Sequence, residues 1–74
     1  MADRMIGAID VSPERQIRLT LTTERDGAQV IDVRWFDRFA GVWMPGKVGC
    51  PIPVQHGEAF ARLAAEAVAA GGGA

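Results

Sequence analysis

The 74-residue chain has one cysteine, one histidine and no tyrosine. Cys50 has no second thiol with which to close an internal disulfide, and Cys50 with His56 is too small a set of soft ligands for a metal site. The aspartates at 3, 10, 26, 32 and 37 lack the spacing of a calcium loop. No glycine-rich phosphate loop opens a helix. A Cys–His pair here has neither an orienting group nor an oxyanion site. The sequence therefore predicts no enzyme, no metal centre and no cofactor. No apolar run approaches the ~20 residues of a membrane-spanning helix, and no charged start leads into an apolar leader. The single thiol fits a reducing cytoplasm, and no membrane association is expected. Positive charge is scarce too: 8 Lys+Arg face 9 Asp+Glu, for a net charge of −1. That balance disfavours a binder relying on bulk phosphate neutralisation. What counts is whether the positive charges share a face, and seven of the eight are arginines, which form bidentate phosphate contacts and stack on bases better than lysine.

What is present is alternation. Residues 16–24 place Ile17, Leu19 and Leu21 on one face and Arg18, Thr20 and Thr22 on the other, a half-exposed strand. Residues 5–11 read as a shorter strand before it, closed by the turn Ser12-Pro13-Glu14. Asp26-Gly27 is a hairpin signal. It leads into a third strand at 29–36, with Ile31, Val33 and Trp35 on one face and Asp32, Arg34 and Phe36 on the other. Residues 37–41 are read as a turn. A fourth strand covers 42–44 and 48–52, interrupted by Pro45-Gly46, which argues for an edge position or a bulge; Pro51 and Pro53 end the sheet. Phe60, Leu63, Ala64, Ala67 and Val68 then form the apolar stripe of one amphipathic helix. It begins at His56 or Gly57, with Glu58 at its positive end, and stops at the glycines from 71 onward. The expected class is α+β: a four-stranded antiparallel sheet followed by one C-terminal helix, in one domain over 1–70 with a flexible glycine-rich tail at 71–74. One helix cannot cover the apolar face of four strands. The surplus, in a chain too short for a large core, predicts a homodimer.

Two motifs narrow this reading: Ile31-Asp32-Val33-Arg34 on the third strand and Pro45-Gly46-Lys47-Val48-Gly49 on the fourth. With Phe60 and Leu63 on the helix, they resemble the transcriptional positive cofactor four family in its prokaryotic form. Members of that family are small dimeric single-strand DNA binders with a Whirly-like architecture. The resemblance covers 17–68, and 5–11 more loosely. It implies a homodimer of β-β-β-β-α subunits that binds single-stranded DNA, and by the same chemistry RNA, with little sequence preference. It also implies work in transcription as a coactivator or regulator, or on unwound DNA, with the transcription machinery as a further partner and the cytoplasmic nucleoid as the location. Arg34 matches the family's basic position on the third strand, and Lys47 the basic position of the Pro-Gly turn. The hairpin before the third strand, Arg25-Asp26-Gly27-Ala28, lacks the family's lysines and aromatic. Val48 stands where a second basic residue follows Pro-Gly.

The candidate nucleic-acid face is Arg18, Thr20, Thr22, Arg34 and Phe36, with Arg38, Trp43 and Lys47 around it. Positive side chains would follow the phosphates, and aromatic rings would stack the bases. For Arg34 the plainer alternative is an ion pair with Asp32 or Glu24. Trp43 serves equally as interface anchor or base platform. Trp35, on the apolar face, is assigned with Phe60, Leu63 and Val68 to the core or the dimer contact. Cys50 is expected as a small buried apolar residue. A rival reading keeps the scaffold and gives up the nucleic-acid face, leaving a protein-interaction or regulatory module.

Overall fold

The computed structural model describes residues 3–71. Its elements run β1 (Asp3–Ser12), β2 (Arg15–Thr23), β3 (Gln29–Phe39), β4 (Val42–Pro53), a single 3₁₀ turn (Val54–His56) and α1 (Gly57–Gly71). The four strands form one antiparallel meander in the order β1-β2-β3-β4, so β1 and β4 are the edges. This is the α+β class that the alternation predicts. The tail expected at 71–74 falls, apart from Gly71, outside the described residues.

The β2–β3 register is unbroken: Ile17 faces Trp35, Arg18 faces Arg34, Leu19 faces Val33 and Leu21 faces Ile31. Matched alternation makes one face apolar and the other polar, since a one-residue slip would exchange every side chain between faces. The β2–β3 connection is the expected hairpin, one residue longer than Asp26-Gly27 alone. The Gly27 N–H donates to Glu24 O (2.9 Å), Glu24 N–H donates to Ala28 O (2.8 Å), and Ala28 N–H donates to Asp26 Oδ1 (3.0 Å). Gly27 has φ +87°, as required of the residue closing a three-residue hairpin.

Residues 37–39 are strand rather than turn. Asp37 pairs with Met44, Arg38 with Trp43 and Phe39 with Val42, and the turn shrinks to Ala40-Gly41. Polar residues there suggested a loop, but the alternation continues: Asp37 is in ion-pair contact with Arg15 on the neighbouring strand, at 3.2 Å. Both turn residues have positive φ, 51° at Ala40 and 78° at Gly41, the twist-matched form of a two-residue hairpin. Strand β4 runs through Pro45-Gly46 without ending, because it is an edge and because the register jumps there. Arg34 faces Gly49 while Phe36 faces Pro45, so residues 46–48 bulge out opposite Trp35 alone.

The single chain has almost no interior. Ile52, 8 % exposed, is the one buried apolar residue among those described. Helix α1 meets the sheet at its first turn, where a Cβ on Gly57 would lie 3.0 Å from Ile31 Cδ1. No residue of the helix is buried. Phe60, Leu63 and Val68 are 48, 60 and 68 % exposed, and Trp35 is 39 % exposed. Within the chain none of these four forms a core. Cys50 is exposed as well, contrary to expectation. It lies opposite Val33 on the apolar face, and nothing among the described residues forms a second layer over that face.

Candidate nucleic-acid interface

On the polar face the register gathers Gln16 and Arg18 from β2, Phe36 and Arg38 from β3, and Trp43 from β4. The Arg18 guanidinium carbon lies 4.1 Å from the Phe36 ring centroid and 5.8 Å from that of Trp43. Arg38 sits 5.6 Å from the same Trp43 ring. Two guanidinium groups and two rings thus interleave, each cation within the ~6 Å over which the ring quadrupole attracts it. The Arg18 Nε–H donates to Gln16 Oε1 (2.7 Å), and Gln16 Nε2–H donates to Asp10 Oδ1 (2.7 Å). This chain of contacts fixes the guanidinium plane, and neither Nη group has a hydrogen-bond partner among the described residues. Sequence reading missed Gln16 and Asp10. Gln16 is in phase with Arg18, but only the β1–β2 register brings Asp10 opposite Gln16. Beside Trp43 and Arg38 a shallow depression of about 360 Å³ runs to Asp10 and the Ser12-Pro13 turn.

Arg34 is placed differently. Its Nε–H donates to Asp32 Oδ2 at 3.0 Å and its Nη2–H to Asp32 Oδ1 at 3.4 Å, while Nη1–H donates to the Gly46 carbonyl at 2.7 Å. All three guanidinium nitrogens are engaged, and the hydrogen bond to Asp32 raises the pKa of Arg34 above its ordinary value. Thr20 is half-buried between these two groups of residues, opposite Asp32 in the register. A second depression, of about 460 Å³, is lined by Asp3, Thr22, Glu24, Asp32 and Arg34. The polar face therefore has a basic-aromatic end at the β3–β4 hairpin and an acidic end near the β2–β3 hairpin. Lys47 projects from the β4 bulge, exposed and with no ion-pair partner among the described residues. Trp35 belongs to the opposite face, where the Arg15 guanidinium covers its ring at 4.0 Å.

Among the described residues no helix is long and apolar enough to cross a membrane. No protein-family model and no curated protein sequence matches the chain. Among solved structures it is similar to BPSL1147, a PC4 homolog from Burkholderia pseudomallei, in two crystal forms. The orthorhombic form superposes with a TM-score of 0.79 at 21 % identity, over 89 % of this chain and 89 % of that one. The tetragonal form gives a TM-score of 0.76 at 19 % identity, over 89 % of this chain and 97 % of that one. By fold the chain is a PC4-like β-β-β-β-α unit.

Proposed function

We propose that the chain is a prokaryotic PC4-type protein that binds single-stranded DNA, and RNA by the same chemistry, with low sequence preference. The observation that carries this reading is the interleaved Arg18, Phe36, Arg38 and Trp43 cluster, on the open face of a sheet with a PC4-like fold. Aromatic faces accept unstacked bases at ~1–3 kcal/mol each and are closed to a base still inside a duplex. The arginines supply local positive charge that the net charge of −1 conceals. Phosphates would pass Arg18 and Arg38 toward Lys47 and avoid the Asp3–Glu24–Asp32 end. This reading is of a binding protein, not an enzyme, in transcription or in the handling of unwound DNA at the nucleoid.

The working unit in this reading is a homodimer. The chain has 74 residues; among those described only Ile52 is a buried apolar residue, while Ile9, Trp35, Val42 and Met44 on the sheet and Phe60, Leu63 and Val68 on the helix are exposed. A second copy offers the matching apolar surface.

One observation favours a second reading, a protein-interaction module: Arg34 is already neutralised by Asp32, and acidic groups occupy the adjacent end of the face. A fluorescence-anisotropy titration with a labelled ~20-nucleotide single strand and its duplex, at low and moderate salt, separates the two, because backbone-driven binding falls steeply with salt. Preference for the single strand, weakened by salt, supports nucleic-acid binding. Absence of binding at low salt by a folded protein rejects it.

A further inference from the structure

The two sequence motifs meet in space, and the contact between them has a mechanical consequence. The β3–β4 register gains two residues on β4 between Pro45 and Gly49, and the extra length is the bulge that carries Lys47. Residues in such a bulge are left without ladder partners. The Gly46 carbonyl at its start accepts the 2.7 Å hydrogen bond from Arg34 Nη1, and Arg34 is itself held by two contacts to Asp32. Gly49 at its other end leaves room for the pair: a Cβ there would collide with the Asp32 carboxylate and lie 2.5 Å from Arg34 Nη2. Gly46 fits against Trp35, whose carbonyl oxygen would be 3.0 Å from an added Cβ. Both glycines, the aspartate and the arginine are thus parts of one joint.

We infer that Asp32 and Arg34 form a clamp that holds the β4 bulge and aims Lys47, making Arg34 a positioning residue rather than a phosphate contact. The role of Lys47 rests on the nucleic-acid reading; the clamp itself does not. A phosphate approaching Arg34 would meet a guanidinium whose charge Asp32 already neutralises and whose orientation the Asp32 and Gly46 contacts already fix. Lys47 has no ion-pair partner among the described residues. The clamp accounts for an arginine with a carboxylate two residues before it and for glycines at 46 and 49, and it requires arginine. A lysine ammonium cannot grip a carboxylate through two nitrogens and a carbonyl through a third.

The test has two arms. The first measures ¹⁵N relaxation of the backbone amides of residues 46–48 in the free protein, for the natural chain, Arg34→Ala and the isosteric Asp32→Asn. The clamp predicts an order parameter of ~0.85 for the Lys47 amide, falling below ~0.6 in either variant while β2 stays rigid. Unchanged order at residues 46–48 in a folded variant overturns it. Asp32→Asn keeps the shape of the site and serves if Arg34→Ala does not fold. The second arm measures the salt dependence of single-strand binding for Lys47→Ala, Arg34→Ala and the double variant. One lost phosphate contact lowers the slope of log K against log salt by ~0.7 on a single strand. The clamp predicts that the double variant loses no more slope than Lys47→Ala, and a double variant losing ~1.4 makes Arg34 a direct contact. A natural chain that binds no single strand rejects the nucleic-acid reading, and the relaxation arm still decides the clamp.

Discussion

Replacing Trp43 with alanine tests the stacking surface with the least disturbance to charge. Trp43 is half-buried at the hairpin end of β4, opposite Arg38, with the guanidiniums of Arg18 and Arg38 at 5.8 and 5.6 Å from its ring. It is not enclosed, so its removal should cost the fold far less than the ~3–5 kcal/mol of a buried tryptophan. The loss on binding is one stacked base, ~1–3 kcal/mol. At 1.4 kcal/mol per tenfold that is a rise in Kd of about 5-fold to 140-fold. No charge is removed, so the salt slope should not move. Trp43→Phe keeps a ring for the bases and should recover most of the affinity. The assay is an anisotropy titration at three salt concentrations, with circular dichroism to confirm the sheet. An unchanged Kd in folded Trp43→Ala would refute the reasoning. So would a loss seen only as a changed slope, since that would make the surface electrostatic and not aromatic.

Other expectations follow from separate parts of the molecule. Lys47→Ala should reduce the salt slope by ~0.7 and leave thermal stability as it was, read from the same titrations and a melting curve. Leu63→Glu, or Phe60→Asp, should convert a dimer into 7.9 kDa monomers on light scattering, because each removes an apolar group whose burial contributes ~1.5–3 kcal/mol. A dimer that survives both changes would place the subunit contact elsewhere. Ala40 holds φ 51°, a conformation that costs a residue with a Cβ about 1–2 kcal/mol, so Ala40→Gly or Ala40→Asn should raise the denaturation midpoint; a lowered midpoint would contradict the turn geometry.

Much of this architecture is legible because β2 alternates without a break. Once Ile17, Leu19 and Leu21 define a face, the facing strand must bring Trp35, Val33 and Ile31 to it, as the register does. The same logic puts Arg18 beside Phe36. The reading failed where local polarity imitated a loop. Asp37 and Arg38 look like turn residues in isolation, but one pairs with Arg15 and the other stands by Trp43, contacts that only the assembled sheet supplies. Cys50 was misjudged for a related reason: its alternation points it at the apolar face, and no described residue of the chain covers it there. For Arg34 the sequence left two partners open, phosphate or a neighbouring carboxylate. Asp32, two residues away on the same face, is the one the structure joins to it. What sequence could not convey was the Gly46 carbonyl, brought within reach by a bulge whose size depends on both strands.

The two tryptophans lie on opposite faces of one sheet, and this arrangement supplies an internal control. Trp43 stands among the arginines of the polar face, and Trp35 lies under Arg15 on the apolar one. Their indole N–H signals can be followed together in a ¹H–¹⁵N spectrum while a single-stranded oligonucleotide is added. The account predicts that the Trp43 signal moves and the Trp35 signal stays. Movement of Trp35 with Trp43 fixed, or of neither, would contradict it.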